Sequence, residues 1–377
     1  MAGIYIHIPF CKSRCTYCAF YSTTRTELRQ RYVDAVCKEM TQRTSENGQS
    51  AKSLVNTIYL GGGTPSQLAP GQVEQLLTKL RETWDVDQGA EITMEMNPDD
   101  VTYEYAAQLV KMGVNRVSMG AQTFDDQRLK FVNRRHTAVQ VGRAVNHLRR
   151  AGICNISIDL MYGFPCETLS EWQSDILAAL ALDVEHLSAY CLTIEEGTPL
   201  YETLRKGENE KMRDGDEEVE REMYYTLKNL LEEAGYEHYE LSNFARPGFR
   251  SRHNNGYWTG LPYIGLGAAA HSYDGHIRRW NPDDVDIYIK GVEAGWPQWE
   301  QEVLDADTRY NEHVMLALRT VEGLNTGTLT EDELHYLMPI ARKYISLGLL
   351  RLETGRLCLT REGLFLSDMV TADLMRV

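Results

Sequence analysis

The chain has 377 residues, 43% hydrophobic and 25% charged, the make-up of a soluble globular protein long enough for one large domain and a smaller one. Its 54 acidic against 39 basic residues leave a net charge of −15, which argues against nucleic acid as a partner. No apolar run approaches the roughly 18 residues of a membrane span. The N-terminus lacks a signal-peptide pattern and the cysteines lack disulfide-framework spacing, so the cytoplasm is the expected location.

In chain order, strand patterns at Ile4–Ile8, Thr57–Leu60, Glu91–Met96, Arg116–Gly120, Asn155–Met161 and His186–Leu192 alternate with helical ones. The helices are expected near Glu27–Thr44, Gly71–Thr83, Tyr103–Met112, Ala138–Ala151 and Leu169–Leu182. Such alternation predicts an α/β fold with a parallel sheet. Six units are too few for a closed eight-stranded barrel and fit an open, partial (β/α)6 barrel. The acidic run Glu208–Glu222 reads as a solvated helix face, and Tyr236–Phe244 as a further strand. Helices at Glu312–Val321 and Thr330–Leu347, with two strand-like runs about Gly355, predict a small α+β, winged-helix-like domain. The expected division is 1–240 for the barrel, 241–304 for a connecting segment and 305–377 for the C-terminal domain.

Chemistry concentrates after the first strand, where Cys11, Cys15 and Cys18 place three thiols within eight residues. Thiolates at this density suit an iron–sulfur cluster or zinc. Three cysteines could hold three irons of a [4Fe–4S] cluster and leave the fourth open. A zinc site would need a distant His or Cys to complete it. Cys37, Cys154, Cys166, Cys191 and Cys358 are scattered and read as reduced thiols. The strand ends offer further polar groups to one mouth: Gly61-Gly62-Gly63-Thr64-Pro65, Glu95, Asn97, Gln122, Asp159 and Tyr190 to Thr193.

The C-x3-C-x2-C spacing resembles the radical S-adenosylmethionine (SAM) superfamily. Its flank, Tyr5-Ile6-His7-Ile8-Pro9-Phe10-Cys11, is similar to the branch of oxygen-independent coproporphyrinogen III oxidases and haem chaperones of the HemW type. The resemblance is close over about residues 4–195 and weaker after them. It implies a [4Fe–4S] cluster on Cys11, Cys15 and Cys18, with SAM at the barrel mouth. Cofactor contacts fall on Tyr5, Tyr17, Gly62, Gly63, Thr64, Glu95, Gln122, Arg134, Asp159, Tyr190 and Thr193. In chemical terms, Glu95 suits an α-ammonium, Arg134 an α-carboxylate, and Gln122 and Asp159 ribose hydroxyls. The glycine turn lets backbone approach a ligand closely.

Two features separate the branch's members. Phe20 stands where the oxidase pattern has a fourth cysteine, and His253-Asn254-Asn255-Gly256-Tyr257-Trp258 matches the chaperones' H-N-x-x-Y-W motif, implicated there in haem binding. The expected function is therefore a haem chaperone that passes haem to apo-haemoproteins such as respiratory enzymes. The alternative is oxidative decarboxylation of coproporphyrinogen III to protoporphyrinogen IX. His253, Asn254, Tyr257 and Trp258 form the expected haem site, with Arg246, Arg250 and Arg252 near enough in sequence to neutralise propionates. His271, in a glycine-rich stretch, reads equally as a ligand or a turn residue. No motif marks membrane association or oligomeric state.

Overall fold

In the computed structural model, residues 2–46, 54–206, 217–295 and 298–376 are described. Six parallel strands lead the fold: β1 (Ala2–Ile8), β2 (Val55–Gly62), β3 (Val86–Met96), β4 (Arg116–Gln122), β5 (Asn155–Tyr162) and β6 (His186–Cys191). Between them run α1 (Arg29–Glu46), α2 (Pro70–Thr83), α3 (Tyr103–Lys111), α4 (Asp126–Phe131), α5 (Ala138–Ala151) and α6 (Leu169–Ala181). Residues 208–216 of the acidic run lie outside the described residues. Its remainder opens α8 (Glu217–Glu233), which follows α7 (Pro199–Lys206).

The strands alternate in character with period two, which sorts their residues between two faces. Ile4, Ile6, Ile8, Ile58, Leu60, Met94, Val117, Met119, Ile156, Ile158 and Leu187 join one buried core with apolar residues of the helices. Burying each such side chain contributes about 2 kcal/mol. The intervening residues face inward and are polar: Tyr5 and His7, Thr57 and Tyr59, Thr93 and Glu95, Arg116 and Ser118, Ser157 and Asp159. The interior is therefore a polar lumen, not a packed apolar core.

Beyond β6 the expected single strand at Tyr236–Phe244 is a hairpin of β7 (Glu237–Glu240) and β8 (Asn243–Ala245), antiparallel to each other. The buried Glu240 carboxylate accepts from the Ser242 amide and the Asn243 side chain, which turns the chain between them.

The segment expected to connect the domains is built into the same sheet. It holds α9 (Arg252–Trp258), β9 (Tyr263–Leu266), β10 (His271–Tyr273), β11 (Ile277–Trp280), α10 (Val285–Ala294) and β12 (Glu300–Val303). β9 pairs in parallel with β1, and β10, β11 and β12 follow antiparallel, giving the order β12-β11-β10-β9-β1-β2-β3-β4-β5-β6-β8-β7. The buried Glu39 of α1 clamps this extension. It takes hydrogen bonds from the Gly267 amide (2.9 Å), Asn281 Nδ2 (2.9 Å) and Tyr288 hydroxyl (2.7 Å), and pairs with Arg43 (3.0 Å).

The C-terminal part has its own apolar core, with Tyr310, Val314, Leu337, Tyr344, Leu357 and Val370 among its members. α11 spans Ala306–Leu318 and begins earlier than its apolar pattern indicated, because Asp305 caps it by accepting from the Thr308 amide. β13 (Leu324–Asn325), α12 (Glu331–Ser346), β14 (Leu350–Glu353), β15 (Arg356–Leu359), α13 (Arg361–Leu364) and α14 (Ser367–Leu374) complete it. Thr330 and Glu333 form a reciprocal capping box at the start of α12.

Candidate functional site

The cysteine loop leaves β1 at Pro9 and is held from three sides. Cys11 N–H donates to the Thr23 carbonyl (2.9 Å), Thr16 N–H to that of Val132 (3.3 Å), and Leu200 N–H to that of Thr16 (2.9 Å). Tyr17 packs on a small apolar cluster of Val132, Met161, Phe164, Leu192, Leu200 and Leu204. Cys11, Cys15 and Cys18 are all free thiols of intermediate exposure. Phe20, two residues on, is 72% exposed, so this position adds no fourth thiolate to the loop.

The end of β2 closes against this loop. A side chain at Gly63 would stand 2.8 Å from the Pro9 carbonyl carbon and 3.1 Å from Cys11 Sγ. Gly62 has φ +112° and would meet the His7 ring at 2.6 Å. Only glycine allows this approach. Thr64 Oγ1 lies 3.5 Å from Cys11 Sγ and takes a long bond from Asn97 Nδ2 (3.4 Å). Asn97 Oδ1 accepts from Arg134 Nη2 (2.8 Å), and Arg134 Nη1 reaches Cys15 Sγ at 3.6 Å. Thr64, Asn97 and Arg134 thus tie the ends of three elements to two of the three thiols.

Below the thiols, Glu95 accepts from Tyr59 hydroxyl (2.8 Å) and the Gly62 amide (3.0 Å). Desolvation raises its pKa to about 7, against the opposing pull of those two donors. Asp159 accepts from Ser118 Oγ at 3.2 Å and lies 3.5 Å from Ser157 Oγ, and burial raises its pKa as well. Both carboxylates keep accessible surface, which places them on the wall of an open space inside the strand ends. Gln122 stands at φ +68°, where the β4–β5 register shifts, a strained conformation of the kind that clusters at ligand sites. Tyr190 and Thr193 are exposed on the last strand end.

Tyr5 lies on the inner face of β1, and its hydroxyl bonds His7 Nδ1 at 3.0 Å. Since the Tyr21 carbonyl can only accept, His7 Nε2 carries the proton toward it (3.1 Å) and Nδ1 accepts from Tyr5. Burial lowers the His7 pKa to about 4, so the ring is neutral.

The donor set fits an iron–sulfur cluster. Among the described residues, no three His, Cys, Asp or Glu side chains converge as a single-ion site. Cysteines on a cubane each reach a separate iron and need not converge on one ion. The open space beside them is lined by a carboxylate pair, backbone amides and a guanidinium, groups that suit an amino-acid and ribose ligand.

The expected haem residues lie elsewhere. His253 touches Gly3, Thr57 and Glu91, at the opposite ends of the strands from the cysteines. It is 3% exposed, and its ring stacks on Tyr59 (5.1 Å, 25°). Nδ1 bonds Thr57 Oγ1 and Nε2 the Tyr257 hydroxyl, both at 2.9 Å. Both ring nitrogens are thus engaged within the fold. Burial lowers the His253 pKa to about 3.

His253 and Tyr257 together line a small cavity of about 290 Å³ with Thr57, Arg252, Leu261 and Tyr263. Trp258 packs under Arg319 (4.9 Å), and the Asn254 backbone N–H donates to the hydroxyl of Ser251, which caps α9. The three arginines do not converge either. Arg246 pairs with Asp183, Arg250 with Glu237 and Glu322, and Arg252 donates to the Gly89 carbonyl.

Sequence reasoning missed the inner residues Tyr59, Arg116, Ser118, Ser157 and His186. Their signal was the polar residue at every second position of otherwise apolar parallel strands, which are usually apolar throughout.

Comparisons with known proteins agree with this geometry. The model of the radical SAM superfamily matches residues 5–178, and that of the HemN C-terminal domain matches residues 304–366. The chain is 34% identical over 377 residues to the heme chaperone HemW of Bacillus subtilis, covering 98% of each chain. It is 37% identical over 321 residues to the heme chaperone HemW of Lactococcus lactis, covering 85% of this chain and 82% of that one. Coproporphyrinogen III oxidase HemN of Escherichia coli shares the fold, with a TM-score of 0.83 at 23% identity over 99% of this chain and 90% of that one. The chain belongs to the HemW family of the radical SAM superfamily.

Proposed function

We propose that this chain is a haem chaperone that binds haem and hands it to apo-haemoproteins, respiratory enzymes among them. The observation that carries the reading is its identity with heme chaperones across essentially its whole length. Phe20, exposed where a fourth thiol would stand, supports it.

In this reading Cys11, Cys15 and Cys18 hold a [4Fe–4S] cluster with one iron open to SAM. Glu95 takes the ammonium of SAM, Arg134 its carboxylate, and Gln122 and Asp159 its ribose. Gly62, Gly63 and Thr64 bring backbone to its amino-acid end, while Tyr5, Tyr17, Tyr190 and Thr193 line the space. Bound together, cluster and SAM supply one-electron chemistry. The protein's part is to orient SAM, exclude water and keep the thiolates beside a cation. Among the described residues no helix is long and apolar enough to cross a membrane.

Anaerobic reconstitution followed by titration with haem tests this. Saturable binding is expected. Absence of binding, or conversion of coproporphyrinogen III to protoporphyrinogen IX by the same preparation, would overturn it.

A further inference from the structure

Arg116 stands on the inner face of β4, 1% exposed, with Nε and Nη1 enclosed and without a hydrogen-bond partner. Among the described residues no carboxylate comes within ion-pair distance of it. An arginine stays charged inside a protein, and a buried cation without a counter-ion is costly. Its charge must therefore be offset across the lumen and not at contact.

Most of its neighbours carry no charge. Tyr59 of β2, His186 of β6, Tyr239 of β7 and His253 of α9 all lie within its field, and burial keeps both phenols protonated and both imidazoles neutral. Glu91, lower on β3, gives its two oxygens to the amides of Arg252 and His253 (3.1 and 3.0 Å). Glu240 of β7 faces Arg319 (3.8 Å).

The next inward position along β4, about 7 Å on, is Ser118. Its Oγ donates to Asp159 (3.2 Å), and Glu95 is its partner in the β3–β4 register. The two carboxyls thus flank β4 directly above Arg116. Burial raises the pKa of both, and the charge of Asp159 adds to the rise at Glu95, which reaches about 7. The Arg116 guanidinium opposes both rises. Tyr5, Tyr190 and Tyr257, the other titratable groups beside the pair, are phenols that burial keeps protonated.

We propose that Arg116 is a positioning residue for SAM: it touches no ligand, and its charge keeps Glu95 and Asp159 ionised together so that Glu95 can take the ammonium. Without it, two carboxyls facing one lumen would hold a proton between them, and a protonated Glu95 offers an ammonium no charge. This deepens the proposed function and rests on the assignment of SAM to this site.

The test uses the anaerobically reconstituted full chain and equilibrium dialysis against SAM over about pH 6–8.5. The ratio of variant to wild-type affinity cancels any titration of SAM itself. In Arg116→Met, affinity should lie about fivefold to tenfold below wild type at about pH 6–7 and within about twofold of it at about pH 8.5. That is the behaviour of a carboxyl whose ionisation has moved upward by about one pH unit. Arg116→Gln, a second neutral variant, should repeat this, whereas Arg116→Lys should give a ratio that does not vary with pH. A pH-independent ratio in the neutral variants overturns the proposal, as does a lysine variant that follows them. Difference infrared spectroscopy of the cofactor-free chain gives a reading without SAM. The Glu95 carboxyl band, identified by its loss in Glu95→Gln, should titrate at higher pH in Arg116→Gln than in wild type, and equal titration overturns the proposal. A wild-type chain that binds no SAM overturns the SAM assignment itself, and the infrared titration still decides what Arg116 does to Glu95.

Discussion

The Glu95 carboxylate accepts the amide of Gly62 at 3.0 Å, so the residue best suited to a ligand ammonium also fixes the glycine turn beside the cysteines. One change therefore acts on both. Glu95→Gln keeps an acceptor for the turn yet removes the charge. SAM affinity should fall by about tenfold to a hundredfold, the worth of a charge-assisted hydrogen bond of about 1.5–3 kcal/mol. Equilibrium dialysis against SAM reads this. Unchanged affinity would take Glu95 out of the site.

Buried carboxyls and histidines should pull the stability of the cofactor-free chain in opposite directions with pH. Glu95 and Glu167 have pKa values raised by burial to about 7. The folded state then holds protons that the unfolded chain releases, so these groups lower stability as pH rises from about 4.5 to 7. His7, His136 and His238 are lowered to about 4, and His253 to about 3, again chiefly by burial. Here the unfolded chain binds more protons, so stability falls as pH drops below 6.5. Each group acts at about 1.4 kcal/mol per pH unit at most. In urea unfolding, His253→Gln should make the acid limb shallower. An acid limb unchanged by that substitution would contradict this account.

Gly63→Ala should loosen the cysteine loop, since the added methyl meets Pro9 backbone at 2.8 Å and cannot be accommodated by a side-chain rotation. The expected cost is about 1–3 kcal/mol, with slower cluster reconstitution read by sulfur-to-iron absorbance. Cys15→Ala should abolish that absorbance, because two thiolates do not hold the cubane. Persistence of the absorbance would reject the ligand assignment.

Glu39→Ala should be more damaging than any of these. It removes the carboxylate of Arg43, which keeps only the Gly265 carbonyl, and takes the Glu39 acceptor from Asn281, Tyr288 and the Gly267 amide. A loss of about 3–5 kcal/mol is expected from breaking such a buried pair. Thermal unfolding measures it, and a loss under 1 kcal/mol would show that the β9–β12 extension does not depend on this clamp.

The barrel was legible in the sequence because strands such as Ile4–Ile8 and Asn155–Met161 are bounded by clear helical stretches. The cysteine loop was legible from its spacing read together with its flank, Tyr5 to Phe10. The β9–β12 extension was not, because strands of three or four residues are too short to show a period, and Glu39, which holds them, lies over 200 residues away. The motif at His253 was visible, but its position was not. Sequence proximity placed Arg246, Arg250 and Arg252 around it, whereas the fold sends each to a different carboxylate or carbonyl. Residue type named the chemistry available to that histidine, and only the fold showed its hydrogen bonds to Thr57 and Tyr257.

The most direct test is transfer. The anaerobically reconstituted chain, loaded with one equivalent of haem and freed of excess, is mixed with an apo-haemoprotein, and the acceptor's holo spectrum is followed. Haem should pass to the acceptor with a rate that depends on acceptor concentration, as direct hand-over requires. Retention of haem by the chain, or a rate independent of acceptor and equal to simple dissociation, would contradict a chaperone.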